Sequence, residues 1–542
     1  MPRIIVLDTL SPDGLALLDA AKSRGIDYEV RTGLKGDALR EALGQFEGAI
    51  CRSGVKITAD ALAGNNKLRA IVRAGVGTDN IDKDAATRQG IVVMNTPAGN
   101  TLSTAEHTFT LMLALSRNVA PAYQGLIEKR WDRAKFMGTQ LAEKTLGVIG
   151  LGRIGLAVAK RAQAFEMKVI GFDPFLSREK VQDLGLEPAG SVKEMLPQVD
   201  YLTVHTPLTE ETKGLINSET LKLLKPGARL INCARGGIYD EAALVEGLKS
   251  GKLAGVALDV FVTEPCTDSP LFGMPGVLCT PHLGASTEEA QSQVAVEGVN
   301  LLVDFLSSGT IKHAVNFSPL DGKTLGEMRG DLNVSYRLGM MLAQLVKPGS
   351  MRVIMNYRGE VADKNTKLLT AAFAAGFLQH ALDREVNIVN SEVLLRERGI
   401  ELVELRRNDM GAFSSQITAE VVAPDGIHRA SGTVFGTAMP RLVQVDEHKL
   451  EAYLDGTMMI FTHTDTPGII GSIGTTLGKH QINIAQMAVG RNQPGGLATG
   501  VLNLDSEPSQ AAIDEVKKIP GITGANVIKL PPAGQYPTWL QG

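Results

Sequence analysis

The chain has 542 residues, 44% hydrophobic and 21% charged, with a formal net charge of −4 at neutral pH. That length exceeds one hydrophobic core, so three or four domains are expected, and the mildly acidic balance argues against a general nucleic-acid binder. No apolar run approaches membrane-spanning length, the N-terminus leads directly into a strand, and Cys51, Cys233, Cys266 and Cys279 lack CxxC or His/Cys spacing; a reduced, cytoplasmic protein without a metal site is expected.

Residues 1–98 alternate strand-like and helix-like runs, with strands expected at Ile4–Leu7, Tyr28–Val30, Ala49–Cys51, Ala70–Val72 and Val92–Met94. This reads as a small open α/β sheet, whose strand ends offer loops to a ligand. Two of those ends carry arginine: Arg52-Ser53-Gly54, and Arg73 followed by Gly75-Val76-Gly77. Arginine can clamp a carboxylate or phosphate bidentately, and a Gly-rich turn can present backbone N–H groups to it. A long helix is expected over Asn100–Arg117, capped by Asn100 and Thr101, with His107 packed within it. A loop containing Trp131 and Arg133 follows.

The stretch Thr145–Pro174 carries the strongest local signal. A buried-strand run, Leu146–Ile149, meets Gly150-Leu151-Gly152-Arg153-Ile154-Gly155, then a helical pattern, then a second strand ending on Asp173. Gly150 permits the tight turn, Gly152 admits a pyrophosphate, Gly155 permits close helix packing, and the helix N-terminus attracts phosphate. Asp173, eighteen residues after Gly155, is placed to accept hydrogen bonds from a ribose diol.

Further strands at Tyr201–Val204, Arg229–Asn232, Gly255–Asp259 and Val277–Cys279 bring the expected count in this doubly wound unit to six. Their ends place polar groups on one crevice: Thr206, the Cys233-Ala234-Arg235 segment, Asp259, Glu264 and His282. A histidine can exchange a hydroxyl proton near neutrality, a carboxylate can fix its tautomer, and an arginine can hold a substrate carboxylate. Arg235, Glu264 and His282 are the candidate catalytic set.

GLGRIG, HTPLT, NCARGGIYDEAAL, ALDVF and TPHLGAST resemble the D-isomer-specific 2-hydroxyacid dehydrogenases over roughly residues 1–316. The resemblance implies an NAD-dependent oxidoreductase in which Arg235, Glu264 and His282 act in catalysis. It also implies cofactor contacts at Val76, Gly150, Gly152, Arg153, Ile154, Gly155, Asp173, Thr206, Cys233, Ala234, Asp259, Gly284 and Ala285. Substrate contacts are expected at Arg52, Ser53, Arg73, Gly75, Gly77, Asn100 and Arg133. It further implies a discontinuous, flavodoxin-like substrate domain, 1–98 and 286–316, around a Rossmann domain at 99–285.

Residues 317–450 read as an α+β packing domain, with helices at Asp331–Val346 and Asn365–Gln379 and a strand at Met351–Tyr357. Residues 451–542 follow a βαββαβ ferredoxin-like order, and His463-Thr464-Asp465-Thr466-Pro467-Gly468 with Asn483 resembles an ACT amino-acid-sensing domain. The whole arrangement is similar to long-form family members. It implies 3-phospho-D-glycerate as substrate, L-serine as effector at His463, Asp465 and Asn483, and a homotetramer. Alternatives are a relative acting on glyoxylate, hydroxypyruvate or D-lactate, a dinucleotide-sensing co-repressor on the same fold, and a pure amino-acid sensor.

Overall fold

A computed structural model describes the whole chain except residues 318, 319, 321, 348, 380, 383–385, 541 and 542. Two parallel sheets form the N-terminal part. The first has the spatial order Asp27–Val30, Arg3–Val6, Gly48–Cys51, Ala70–Arg73, Val92–Asn95, which is the flavodoxin-like 2-1-3-4-5 order. Arg3–Val6, Gly48–Cys51, Ala70–Arg73 and Val92–Asn95 are largely buried and apolar, as strands covered on both faces require, while the edge strand Asp27–Val30 is partly exposed.

The second sheet runs Glu187–Pro188, Lys168–Phe172, Thr145–Ile149, Tyr201–Val204, Ala228–Asn232, Leu253–Leu258, Val277–Cys279, again all parallel. It therefore has seven strands where six were expected. The extra one, Glu187–Pro188, is two residues long and pairs only with Ile170 and Gly171, too short to leave a hydrophobic period in the sequence.

The chain returns to the first sheet through helix Glu288–Ser308. Ala295 lies so near Gly14 that a Cβ there would come within 2.9 Å, and Leu302 and Leu306 pack over Gly48. Beyond the helix, Asn316 accepts from the Val93 N–H at 2.8 Å and Val315 donates to the Val93 carbonyl at 2.8 Å, closing the edge of that sheet.

The intervening region has a six-stranded mixed sheet in which Arg352–Gly359 is second from one edge, covered by helices Gly322–Leu345 and Thr366–Leu378. Its last strand, His448–Tyr453, runs across the boundary expected at 450. The final sheet starts at Thr457 and has the ferredoxin-like strand order 4-1-3-2. Arg337, fully buried, locks the two together: it donates to Asn333 Oδ1 and to the carbonyls of Leu454, Pro531, Pro532 and Gln535. No helix among the described residues is long and apolar enough to cross a membrane.

Candidate active site in the interdomain crevice

The carboxyl ends of both parallel sheets face one crevice. On its nucleotide side the three glycines have distinct geometries. Gly150 has φ +89°, and a Cβ there would meet the His205 carbonyl at 2.6 Å. A Cβ on Gly155 would come within 2.0 Å of the Gly150 carbonyl, so the helix packs onto the turn at a distance no other residue allows. Around Gly152, which caps helix Arg153–Ala164, there is open space. Asp173 accepts from the Leu151 N–H and the Phe175 N–H, both at 2.9 Å, so the acid holds the Gly-rich turn with one lone pair on each oxygen still available. Thr206 Oγ1 is buried without a partner. Open space at a twelve-residue helix N-terminus, an adjacent acid and an unpartnered hydroxyl fit a dinucleotide.

His282 Nδ1 lies 2.6 Å from Glu264 Oε2. Next to a carboxylate that nitrogen carries the proton, which leaves Nε2 as the acceptor facing out. The other Glu264 oxygen accepts from the Phe261 N–H at 3.0 Å. Burial opposes ionisation of Glu264, but the His282 hydrogen bond and the Phe261 N–H outweigh it and hold its pKa below the usual value.

The loop under His282 hangs on Asp259. One Asp259 oxygen accepts from Thr280 Oγ1 at 2.6 Å and the Leu283 N–H at 2.7 Å, the other from the Gly284 N–H at 2.8 Å. His107 Nε2 lies 3.0 Å from Thr280 Oγ1 and 3.3 Å from Asp259. Burial works against the Asp259 charge, and His107, Thr280 and the two N–H groups outweigh it, so its pKa also lies below the usual value. Asp259, expected at the cofactor, holds the loop under His282 with both carboxylate oxygens. His282 itself has φ +57°, a left-handed backbone that this clamp maintains.

Arg235 follows a strand end stapled by the buried Asn232, whose Nδ2 donates to the Arg235 carbonyl at 2.8 Å and whose Oδ1 accepts from the Ala234 N–H at 2.9 Å. Cys233 is buried and its thiol is pushed up to about 12, so it contributes packing and backbone rather than a thiolate. Arg235 Nε donates to Asp79 at 2.9 Å, a partner that no local pattern around residue 79 signals.

Gly75 and Gly77 let two guanidinium groups lie on the turn. A Cβ at Gly75 would be 1.6 Å from Arg73 Nη1, and one at Gly77 would be 1.7 Å from Arg235 Nη2. Val76 is fixed through its carbonyl by Asn95 Nδ2 at 2.6 Å. Burial depresses the Arg73 pKa, and the charges of Arg235 and Arg52 depress it further; Arg52 directly follows Cys51, which pairs in register with Arg73 on the adjacent strand. The Nε atoms of Arg52 and Arg73 are buried and unpartnered. Asn100 does not cap its helix: at φ −114° and ψ 10° its side chain makes no cap bond, and Asn100 Oδ1 and Thr101 Oγ1 are buried without partners. Ser53 and Arg133 are exposed, Arg133 in the separate turn Arg133–Phe136, and no hydrogen bond joins either side chain to the arginines. Arg153 and Ile154 open helix Arg153–Ala164, and the Ala285 carbonyl accepts from Gln291 Nε2 at 2.6 Å.

In the C-terminal unit, His463 is buried with Nδ1 2.9 Å from the Thr464 carbonyl and Nε2 unpartnered. Asp465 accepts from Arg491 and, at 3.2 Å, from the Gly495 N–H, while Asn483 donates to Asp505 at 2.6 Å.

Residues 109–284 match the family model of the D-isomer specific 2-hydroxyacid dehydrogenase NAD binding domain, residues 327–446 the D-3-phosphoglycerate dehydrogenase intervening domain, and residues 457–521 the ACT domain. The chain is 39% identical over 536 residues to a D-3-phosphoglycerate dehydrogenase of Bacillus subtilis, covering 98% of this chain and 100% of that one. It is 38% identical over 534 residues to the enzyme so named in Methanocaldococcus jannaschii, with coverage of 98% and 100%. Among solved structures, a glyoxylate reductase from Paecilomyes thermophila matches with TM-score 0.54 and 27% identity, covering 58% of this chain and 98% of that chain. A D-lactate dehydrogenase from Escherichia coli matches with TM-score 0.51 and 26% identity, covering 58% and 99%.

Proposed function

We infer that this chain, which belongs to the D-3-phosphoglycerate dehydrogenase family, oxidises 3-phospho-D-glycerate to 3-phosphooxypyruvate with NAD, the step that opens L-serine biosynthesis. The observation that carries this reading is the pairing of a His282–Glu264 dyad with three arginines around one turn: Arg73 and Arg235 on Gly75–Gly77, and Arg52 at the end of the strand beside Arg73. One cation suffices for a carboxylate. Two more, with buried and unpartnered Nε atoms, fit a second anionic group on the same substrate.

The open turn at Gly152, with Asp173 and Thr206, would hold NAD, which would supply the acceptor for the hydride leaving C2 of the substrate. His282 Nε2 takes the C2 hydroxyl proton as that C–H bond breaks and the C2=O bond forms, and Glu264 steadies the resulting imidazolium. Arg235 holds the substrate carboxylate beside the reacting carbon, while Arg52 and Arg73, aided by Ser53, Asn100 and the Gly75–Gly77 backbone, hold the phosphate. Arg133 belongs to this reading as a residue that closes over the phosphate. Asp173 favours NAD over NADP because its carboxylate suits a ribose diol and repels a 2′-phosphate; comparable kcat/KM with both cofactors would contradict this.

The division of labour follows: substrate binding in 1–98 and 286–316, the nucleotide in 99–285, an intervening unit in 317–450 and effector binding in 451–542. We assign L-serine to the C-terminal unit at His463, Asp465 and Asn483, a homotetrameric assembly to the chain, and its work to the cytoplasm. Val119, Tyr123, Leu126, Ile127, Trp131 and Met137 form an exposed apolar stretch that supports association between copies. All four cysteines are free thiols, as a reducing compartment favours.

The test of the phosphate assignment is Arg52→Ala assayed on 3-phosphoglycerate and on D-glycerate. Loss of one hydrogen bond to a charged group should weaken the phosphorylated acid by roughly 10- to 150-fold and leave the unphosphorylated one nearly untouched. Equal losses on both would remove Arg52 from phosphate recognition.

A further inference from the structure

A cavity of about 400 Å³ lies at the opposite end of the first sheet from the crevice. Three parts of the chain close it. The strand starts at Arg69 and Val92 form its floor, Phe305 of the return helix and Ile388 and Val389 of the intervening region form its walls, and Trp539 of the C-terminal tail lies against it. Arg69 precedes the strand that ends on Arg73, so the cavity and the substrate arginines sit about 13 Å apart along one strand. Asn387 joins the walls to the floor, donating from Nδ2 to the Gly90 carbonyl at 3.1 Å.

Its polar lining is not satisfied by the protein. Asn65 Nδ2, Gln89 Oε1 and Trp539 Nε1 are all buried and lack hydrogen-bond partners. Asn65 is oriented unambiguously, because its Oδ1 accepts from the Lys67 and Leu68 N–H groups, both at 2.9 Å. Arg69 stacks on the Phe305 ring, with 5.4 Å from guanidinium to ring centroid, and pairs with no carboxylate among the described residues. An unpartnered buried donor or acceptor costs free energy unless water or a ligand satisfies it, and three around one cavity in the described residues need an explanation.

We propose that this cavity is a second small-molecule site, taking an α-amino acid with an apolar side chain. Asn65 Nδ2, Trp539 Nε1 and the Arg69 guanidinium supply donors for a carboxylate. Gln89 Oε1 accepts from an ammonium group, and Phe305, Ile388 and Val389 receive the apolar side chain. A cavity of this size is within the ordinary range for small-molecule sites. Its occupant would bridge the substrate-binding sheet, the intervening region and the tail without touching the nucleotide site or the C-terminal serine candidates.

The test is calorimetry on the full-length enzyme with L-leucine and L-phenylalanine, in the presence of saturating NAD. Fluorescence of a Trp131→Phe variant isolates Trp539, since the chain has only two tryptophans. Saturable binding with a change in Trp539 emission is expected, weakened about 10-fold or more in Trp539→Phe and in Arg69→Met, and unchanged in Asp465→Ala. Trp539→Phe keeps the apolar contact, so a lost site would not reflect a lost fold. Absence of saturable binding at 10 mM, on the order of the weakest useful affinity, would mean that water alone fills the cavity and would overturn the proposal. Binding that survives both substitutions but disappears in Asp465→Ala would overturn it equally, by placing the amino acid in the C-terminal unit.

Discussion

Asp79 reaches across the crevice to Arg235, accepting from its Nε at 2.9 Å. The two residues are 156 positions apart, in loops that follow strands of different sheets, so this bond ties the substrate-binding side to the nucleotide-binding side. It also orients the guanidinium: with Nε engaged and Nη1 on the Ala234 carbonyl at 2.6 Å, Nη2 is left to face the Gly77 turn.

Asp79 is on this account a positioning residue. Asp79→Asn should lower kcat/KM for 3-phosphoglycerate about 10-fold, the scale of one charge-assisted hydrogen bond, with NAD affinity unchanged. Steady-state kinetics varying each substrate separately checks it; an effect confined to the KM for NAD would contradict the assignment.

His282 and Glu264 make opposite kinds of prediction. Removing the His282 ring should cost roughly 10²–10⁴-fold in the chemical step. Glu264→Gln replaces a charge with a neutral amide, which stabilises an imidazolium less, so the protonated ring gives up its proton at lower pH. Oxidation requires the neutral ring, and the ascending limb of kcat/KM should therefore move to lower pH. A shift to higher pH, with hydride transfer shown to be rate-limiting by a deuterium isotope effect, would give the carboxylate another role.

Asp259 should act on stability and on the His282 loop together. Its carboxyl pKa lies below the usual value, so its contribution is complete above the unfolded value of about 3.9 and is lost as pH falls through the lower folded value. Asp259→Ala strands the Leu283 and Gly284 N–H groups and should cost about 1–3 kcal/mol for each donor left without a partner. Urea denaturation at neutral pH measures the loss, and a variant of unchanged stability would contradict the clamp.

The serine assignment must contend with two intrachain bonds, Arg491 to Asp465 and Asn483 to Asp505. The first is an exposed ion pair, which is weak, so an ammonium group can displace it. Calorimetry should show L-serine binding to the wild type and a loss of at least about 10-fold in Asp465→Ala. Inhibition additionally requires that serine favour one conformation over another. No heat at millimolar serine would end the assignment.

What was legible in the sequence was local or periodic. Gly150, Gly152 and Gly155 stand within one strand–turn–helix, so their spacing announced the turn geometry. Arg235, Glu264 and His282 each follow a strand of an open parallel sheet, and the topology alone sends such residues to one crevice. Asp79 and His107 were not legible as partners, because each is a single polar residue whose counterpart is more than 150 positions away. Asp259 was visible as an acid at a strand end, but nothing in the chain says that it accepts from the Leu283 and Gly284 N–H groups. The same holds for Arg337, a charged residue in an apolar helix whose four carbonyl partners lie beyond residue 450. Glycine in Gly75-Val76-Gly77 suggested a backbone cradle; the structure shows guanidinium groups lying where side chains would be.

The central claim is a phosphorylated 2-hydroxy acid oxidised by the His282–Glu264 dyad, and the most direct measurement is NADH formation with 3-phosphoglycerate, D-glycerate and D-lactate under identical conditions. Arg52 and Arg73 each offer a phosphate contact of the 10- to 150-fold scale, so kcat/KM should favour 3-phosphoglycerate by roughly 100-fold or more over either unphosphorylated acid. Equal or greater efficiency with D-glycerate or D-lactate would contradict the account.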